Sequence, residues 1–135
     1  MASPARTIVE VRGDADVVSA RVGGRLLAID LGFLMADVVV IATAISEVAR
    51  NIVRYAETGT VELTSLADKG RVGIQVVARD EGPGIADIPT ALRDGYSTGN
   101  GLGLGLPGCR RLMDELEITS DRGSGTTVVM RKWLP

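Results

Sequence analysis

The spacing of apolar residues predicts two long helices in the first part of the chain. Apolar side chains recur at helical spacing from Ala15 to Leu31, and Gly32 follows as a helix-stop residue. The same spacing is stronger from Ala36 to Ala56, which predicts a second helix. Thr7 to Val11 alternates as a strand does. The pair Gly23-Gly24 weakens the first helix, so we expect a packed neighbour to cross it there.

After the second helix, the pattern changes to short strands with one further helix. The predicted elements are the strands Val61–Ala67, Val72–Arg79, Glu117–Ser120 and Thr126–Trp133, and a helix from Leu104 or Leu106 to Leu116. The segment Asp68 to Arg71 is a hairpin signal, and Asp114, Glu115 and Glu117 are interpreted as a solvated helix end. Because helices and antiparallel hairpins segregate, we expect an α/β two-layer sandwich. Its sheet is expected to be mixed but mainly antiparallel, with helices packed on one face.

The stretch from Asp80 to Asn100 is polar, irregular and broken by glycines, with a short helix predicted at Ile88 to Arg93. Ten of the 17 glycines lie between Gly82 and Gly125. An irregular segment of about 20 residues is uncommon in a compact domain unless it is a lid or a binding loop. This stretch therefore favours a functional role. No repeat or linker divides the chain, so a single domain over residues 1–135 is expected.

Composition excludes several classes of function. With 45% hydrophobic but only 3% aromatic residues, the core is expected to be aliphatic. The formal net charge of −2 argues against nucleic-acid binding. Without histidine, the chain has no Ser-His-Asp triad, histidine-ligated zinc or phosphohistidine of its own. Cys109 is the only cysteine and is expected to be a small buried hydrophobe. With no targeting signal and no apolar run of membrane length, the protein is expected to be cytoplasmic.

Glu47 and Asn51 lie four residues apart on the second predicted helix, so their side chains share one face. In isolation this spacing is typical of a solvated surface beside Arg50 and Arg54. Here the neighbouring apolar positions face the core, which places the pair at its edge. An amide oxygen suits Mg²⁺, which keeps most of its waters and takes few protein ligands. A carboxylate one turn earlier can accept the proton of an attacking hydroxyl, and phosphoryl transfer demands little base strength.

Asp80 ends a predicted strand and opens the glycine turn that runs to Gly84. A carboxylate there can accept a hydrogen bond from an exocyclic amino group such as that of adenine. Gly82 and Gly84 let a flat base lie against the backbone. The alternative is a turn-forming aspartate that bonds its own backbone. On the residues alone, both interpretations stay open.

Gly103 to Gly108 satisfies the G-x-G-x-x-G pattern of dinucleotide-binding proteins. That pattern requires a preceding strand, whereas residues 94–101 are loop-like, so the dinucleotide interpretation is rejected. A glycine-rich entry into a helix N-terminus still makes a phosphate cradle from backbone N–H groups. Neither a P-loop motif nor the H-R-D and D-F-G motifs of eukaryotic-type kinases are present.

In their order, these motifs resemble the GHKL superfamily, which shares the Bergerat ATP-binding fold and includes gyrase, histidine kinases and the MutL group. The resemblance implies ATP and Mg²⁺ as cofactors, Glu47 as general base, and Asn51 as the metal ligand. The residues it implies around the nucleotide are Asn51, Asp80, Gly82, Gly84, Ser97, Thr98, Gly101, Gly103, Gly105 and Thr126. Asp80 would bind the adenine amino group, and a lid would run from about Ile85 to Asn100. For Ser97 and Thr98, plain loop polarity is the alternative.

Within the superfamily, a short chain without histidine resembles the serine/threonine kinases of bacterial sigma-factor control, and most of all the RsbT type. The stretches that carry this resemblance are Ala44–Ile52, Glu81–Ile85, Leu104–Gly108 and Lys132–Leu134. It implies that the protein phosphorylates STAS-domain proteins, the scaffold and antagonist of a stressosome. Once released, it would activate a PP2C-type phosphatase through that enzyme or its regulatory domain. No nucleic-acid or membrane partner is expected.

One departure from the superfamily concerns the cation beside the γ-phosphate, because Tyr96 to Gly105 contains no lysine or arginine. Arg50, Arg54, Arg93 and Arg110 are the candidate substitutes. The main alternative function is an anti-sigma factor kinase of the RsbW or SpoIIAB kind, which binds a sigma factor. A coactivator with a degenerate ATP site and an isolated histidine-kinase domain are further alternatives.

Overall fold

The protein folds into one antiparallel sheet with helices on one side. A computed structural model describes residues 5–82, 105–121, 123 and 125–135. Its elements are β1 (Arg6–Val11), α1 (Asp14–Leu31), α2 (Met35–Tyr55), β2 (Gly59–Asp68), β3 (Arg71–Asp80), α3 (Gly105–Leu112), β4 (Glu115–Asp121) and β5 (Gly125–Trp133). The five described strands are ordered β1-β2-β3-β5-β4, and each neighbouring pair is antiparallel. The predicted two-layer α/β architecture is confirmed.

The core lies between the sheet and the helices. On β3, Ile74, Val76 and Ala78 are buried, while alternation places Gln75 on the opposite face. The α2 side chains that join them in the core follow helical spacing and are Val38, Ile41, Ile45, Val48 and Ile52. The core is aliphatic, as expected, with Phe33 as its one buried aromatic residue within the described ranges. In the part of the chain that the structure describes, no helix has the length and hydropathy needed to cross a membrane.

The glycine pair in α1 marks the crossing that its sequence predicts. A Cβ atom at Gly24 would lie 2.1 Å from Ile45 Cδ1 of α2. A Cβ atom at Gly23 would lie 3.2 Å from Leu63 Cδ1 of β2. Both contacts are tighter than ordinary packing, so α1 can approach α2 and the sheet only because these positions lack side chains. The helix ends as predicted at Gly32, which has the left-handed φ of 95°.

The predicted hairpin between β2 and β3 is confirmed. Its two central residues, Lys69 and Gly70, have φ values of 52° and 81°. Positive φ at both positions is the signature of the two-residue turn that matches strand twist. Asp68 pairs directly with Arg71, so the turn sets the register of the whole β2–β3 ladder.

The helix predicted to reach Leu116 is wrong at its C-terminal end, because α3 stops at Leu112 and β4 begins at Glu115. The backbone N–H of Asp114 donates to the Arg131 carbonyl at 3.0 Å. One Asp114 oxygen accepts the Trp133 backbone N–H at 2.8 Å, and Glu115 accepts the Trp133 indole N–H at 2.5 Å. Asp114 and Glu115 are therefore bound to β5, and Glu117 lies within β4, so these acids do not form a solvated helix end. Long-range pairing overrides the local helical spacing here.

Candidate active site

Glu47 is a buried carboxylate at the junction of α2 and α3. Its relative exposure is 4%, and both of its oxygens have partners. Oε1 accepts a hydrogen bond from Arg50 Nη1 at 3.0 Å, and Oε2 accepts the backbone N–H of Gly105 at 3.3 Å. A buried charge is tolerated only when it is paired in this way. The contacts fix the carboxylate beside the first residue of α3.

The thiol of Cys109 lies in the same part of the core but is chemically inert. It is fully buried, as predicted, and donates to the Ala44 carbonyl at 3.7 Å. Burial raises the pKa of Cys109 to about 12, and the negative charge of Glu47 acts in the same direction. Because the thiolate is the nucleophilic form, this cysteine is not a reactive group at neutral pH.

Asn51 lies one helical turn beyond Glu47 and is partly exposed. Its side-chain amide makes no hydrogen bond to any other residue that the structure describes, so its oxygen is available to a ligand. The described ranges also contain no group of three or more His, Cys, Asp or Glu side chains suited to a metal ion. A magnesium ion bound with phosphate oxygens and water needs only one or two protein ligands, and a free amide oxygen fits that requirement.

Asp80 is held by one oxygen and open at the other. Its Oδ1 accepts the backbone N–H of Gly82 at 2.9 Å and that of Thr126 at 3.2 Å. Its Oδ2 accepts no hydrogen bond from any described residue. The contact with Gly82 is the turn-forming bond considered as the alternative role. That bond is compatible with ligand binding, because it orients the carboxylate and leaves an acceptor for an amino group.

Close backbone contacts fix the turn that carries Asp80. A Cβ atom at Gly82 would lie 2.6 Å from Ala56 Cβ, just past the end of α2. A Cβ atom at Gly125 would lie 2.0 Å from the Asp80 carbonyl oxygen, and Gly125 has a φ of 92°. The end of β3 is therefore pressed between the α2 C-terminus and the start of β5, where only glycine fits.

Helix α2 connects the two groups of predicted site residues. Glu47 contacts Gly105 at one end, and Ala56 contacts Gly82 at the other. With a rise of about 1.5 Å per residue, these contacts lie roughly 13 Å apart along the helix axis. Asn51 falls between them. Glu47 and Asn51 therefore lie on α2, with Gly105 beside Glu47. The turn of Asp80 and Gly82, whose carboxylate accepts from Thr126, packs against the end of the same helix.

Two residues at this site were not assigned these contacts from the sequence. Ser120 of β4 shares a hydrogen bond of 3.0 Å with the Thr126 hydroxyl and donates to the Gly125 carbonyl at 3.1 Å. Arg50 was considered as part of a solvated helix surface or as a phosphate cation, yet it forms the ion pair with Glu47. The i,i+3 spacing of Glu47 and Arg50 on a helix is a signal for such a pair. The pairing of Ser120 with Thr126 across β4 and β5 has no comparable local signal.

Several predicted site residues lie outside the described ranges. They are Gly84, Ser97, Thr98, Gly101 and Gly103, together with the predicted lid over residues 85–100, the short helix at 88–93 and the candidate cation Arg93. Their roles stay predictions. Of the other candidate cations, Arg54 and Arg110 are exposed.

The antiparallel five-stranded sheet with helices on one face is the architecture of an ATPase domain of the histidine-kinase type. The fold is shared with the mycobacterial sensor histidine kinase MprB, with a TM-score of 0.57 and 14% identity over 96% of this chain and 97% of that one. The chain belongs to the histidine kinase-like ATPase domain family, whose sequence model matches residues 5–132. The predicted membership of the GHKL superfamily is confirmed.

Two relatives indicate where this chain belongs within the family. The serine/threonine-protein kinase RsbT of Bacillus subtilis is 46% identical over 129 residues, which cover 96% of this chain and 97% of the relative. An anti-sigma F factor of Thermoanaerobacter sp. (strain X514) is 32% identical over 100 residues, or 70% of this chain and 68% of the relative. The predicted resemblance to the RsbT type is confirmed.

Proposed function

We propose that this protein is an ATP- and Mg²⁺-dependent serine/threonine protein kinase of the cytoplasm. Its substrates are STAS-domain proteins, the scaffold and antagonist of a stressosome, and after release it activates a PP2C-type phosphatase. The relationship to RsbT supports the class of reaction, because it extends over 96% of the chain. The observation that carries the proposal is the buried Glu47 carboxylate, fixed by Arg50 and Gly105 where α3 begins. A positioned carboxylate at a helix N-terminus brings a base close to a site that favours phosphate.

In this proposal each described residue has one task. Bound ATP supplies the phosphoryl group, and Asn51 would hold a Mg²⁺ ion, which would offset the phosphate charge. The free oxygen of Asp80 accepts from the adenine amino group, and the N–H groups at the start of α3 receive phosphate. The hydroxyl oxygen of the partner's serine or threonine bonds to the γ-phosphorus, and ADP leaves. At the same step Glu47 takes the proton of that hydroxyl. The transition state depends mainly on alignment, so a carboxylate of ordinary strength is sufficient.

The test combines nucleotide binding with phosphate transfer to purified STAS-domain proteins from the native organism. Calorimetry is expected to detect binding of ATP that strengthens with Mg²⁺. Labelled γ-phosphate is expected to appear on a serine or threonine of a STAS protein, located by mass spectrometry. Absence of heat with Mg-ATP, or transfer to no STAS protein, would overturn the proposal.

The second candidate function is an anti-sigma factor kinase that binds a sigma factor and phosphorylates a separate STAS protein. The similarity to anti-sigma F factors over 70% of the chain favours it. The lower identity and shorter coverage of that match, compared with RsbT, place it second. Co-purification separates the two functions, since the first predicts a large STAS assembly and the second an RNA polymerase sigma subunit.

A further inference from the structure

A groove of about 500 Å³ lies between the first half of α1 and the last half of α2. Among the residues that the structure describes, its charged lining consists of Arg21 and Asp14 from α1 and of Arg50 and Arg54 from α2. Three arginines and one aspartate give a formal charge of 3 − 1 = +2, on a chain whose net charge is −2. The groove is therefore a local positive site on an acidic protein, and such a site attracts anionic groups.

The positive charge of the groove is only partly neutralised by the protein itself. Within the described ranges, Arg21 and Arg54 form no ion pair, and Arg50 pairs with Glu47. The guanidinium groups of Arg21 and Arg54 therefore have N–H donors left for a ligand, since each carries five N–H bonds in a planar fork. Carboxylates match this fork in pairs of parallel hydrogen bonds.

The other lining residues within the described ranges are apolar and are Val17, Val18 and Val53. Val18 is 45% exposed, so the groove offers uncovered apolar surface beside its arginines. A single inorganic anion would leave this surface in water. A peptide segment with carboxylates and small apolar side chains would cover it, and a volume of this size is typical of a ligand site.

Arg50 links the groove to the candidate active site. Its side chain is 41% exposed and lines the groove, while its Nη1 donates to the Glu47 oxygen at 3.0 Å. Glu47 itself has only 5% of its side chain exposed. A carboxylate that enters the groove therefore reaches Arg50 without reaching the buried Glu47. It competes with Glu47 for the same guanidinium group.

We propose that this groove docks an acidic segment of the protein substrate, and that docking draws Arg50 away from Glu47. The release leaves Oε1 of Glu47 without its partner and free to accept the substrate hydroxyl proton. Arg50 is a positioning residue in this scheme, because it acts through Glu47. The inference rests on the proposed kinase function, and it adds that the kinase is held in check until its protein substrate is bound.

The docking test uses charge reversal with a matched control. Arg21→Glu and Arg54→Glu are expected to raise KM for the STAS-domain substrate at least about tenfold, as expected for a lost charge pair replaced by repulsion. Arg25→Glu, on an exposed position of α1 outside the groove, makes the same charge change and is expected to leave KM within about twofold. Affinity for Mg-ATP by calorimetry is expected to be unchanged in Arg21→Glu and Arg25→Glu, neither of which alters a candidate cation for the γ-phosphate.

Direct binding gives a readout that does not depend on catalysis. A fluorescent oligoglutamate peptide is expected to bind the wild-type protein and the Arg25→Glu variant, and to lose affinity for Arg21→Glu and Arg54→Glu. If all variants bind it equally, the groove is not the docking site. If the charge reversals weaken Mg-ATP binding instead, the groove belongs to the nucleotide site. If they dissociate an oligomer, a second copy of this chain occupies it.

The coupling through Arg50 has its own signature. Arg50→Ala is expected to raise KM for the protein substrate and to raise ATP hydrolysis in its absence, because Glu47 is no longer restrained. With Arg50→Lys, KM and the rate of ATP hydrolysis are both expected to lie close to wild type. The double substitution Glu47→Gln with Arg50→Ala is expected to abolish the hydrolysis. A merely structural role would lower every activity together. If the wild type neither binds Mg-ATP nor transfers phosphate, the kinase proposal fails, whereas unaltered coupling in an active kinase overturns only this inference.

Discussion

The carboxylate of Glu47 accepts a hydrogen bond of 3.3 Å from the backbone N–H of Gly105, 58 residues further along the chain. This contact joins the middle of α2 to the first residue of α3. The N-terminus of a helix carries partial positive charge and unpaired N–H groups, so it stabilises a nearby anion. The same groups would receive a phosphate. Glu47 therefore lies next to the proposed position of the reacting phosphoryl group.

The substitution Glu47→Gln tests the assignment of the base. Glutamine has almost the same shape and can still accept from Gly105, but it cannot accept a proton in the reaction. We expect phosphate transfer to fall by roughly 10²- to 10⁴-fold, the usual range for loss of a general base. Affinity for Mg-ATP, measured by calorimetry, is expected to stay within about threefold of wild type, because the loss concerns the proton-transfer step. Glu10→Gln, which alters an exposed carboxylate paired with Arg12, is the control. Normal transfer by Glu47→Gln would show that another group acts as the base.

The substitution Asp80→Asn tests recognition of adenine. An asparagine oxygen can keep the hydrogen bonds from Gly82 and Thr126, so the turn is expected to survive. The open Oδ2 would then be replaced by an N–H₂ group that faces the adenine amino group, donor against donor. We expect at least a tenfold loss of ATP affinity, since an unpaired polar group is left in the site. GTP presents a carbonyl at this position, so the affinity for GTP is expected to fall less than that for ATP. Equal affinities for ATP in the variant and the wild type would contradict the role of Asp80.

The substitution Asn51→Ala tests metal binding. Because the Asn51 amide has no partner among the described residues, its removal breaks no internal hydrogen bond. We expect the Mg²⁺ concentration that half-saturates ATP-dependent activity to rise roughly tenfold or more, as for loss of a group that holds a metal. Affinity for ATP measured in EDTA is expected to be unchanged. A loss of affinity that is equal with and without Mg²⁺ would assign Asn51 to the nucleotide and not to the metal.

The local pattern of the sequence was sufficient for α1, for α2 and for the hairpin at Lys69 and Gly70. It also predicted that a neighbouring element crosses α1 at Gly24, because close packing is one of the few physical reasons for a glycine pair inside a helix. The end of α3 was wrong because Asp114 is held by Arg131 and Trp133, which follow it by 17 and 19 residues. Contacts of this kind depend on how the strands pair, and local spacing carries no information about them.

The same distinction applies to the candidate site. That Glu47 and Asn51 share a face follows from helix geometry, and that Asp80 ends a strand follows from alternation. The bond from Glu47 to Gly105 and the groove shared by Arg21 and Arg54 require the packing of separate elements. Helical spacing fixes neighbours on one helix, but only tertiary structure shows which charges on two helices face each other.

The buried thiol of Cys109 predicts a pH dependence of stability. Its pKa is raised from 9.0 to about 12 by burial and by Glu47, so the folded state holds the proton at pH values where the unfolded state releases it. Stability from this group is fully present below pH 9 and is lost as pH rises from 9 toward 12. The loss is at most about 1.4 kcal/mol per pH unit. Urea unfolding of wild type and Cys109→Ala is expected to give a stability difference that changes over this window and is constant at lower pH. A difference that stays constant up to pH 11 would contradict the burial of the thiol.

The close contact between Gly125 and Asp80 predicts that alanine substitutions at Gly123 and at Gly125 differ in how much they lower stability. Both Gly123 and Gly125 have positive φ, at 84° and 92°. A Cβ atom at Gly125 would lie 2.0 Å from the Asp80 carbonyl oxygen, whereas one at Gly123 would meet nothing within 4 Å. Gly123→Ala is therefore expected to cost only the backbone penalty of about 1–2 kcal/mol. Gly125→Ala adds a backbone clash and is expected to cost more than about 3 kcal/mol in urea unfolding. Because the clash displaces the end of β3, Gly125→Ala is also expected to weaken ATP binding while Gly123→Ala leaves it intact. Equal costs in the two variants would show that β3 and β5 do not meet as closely as the structure places them.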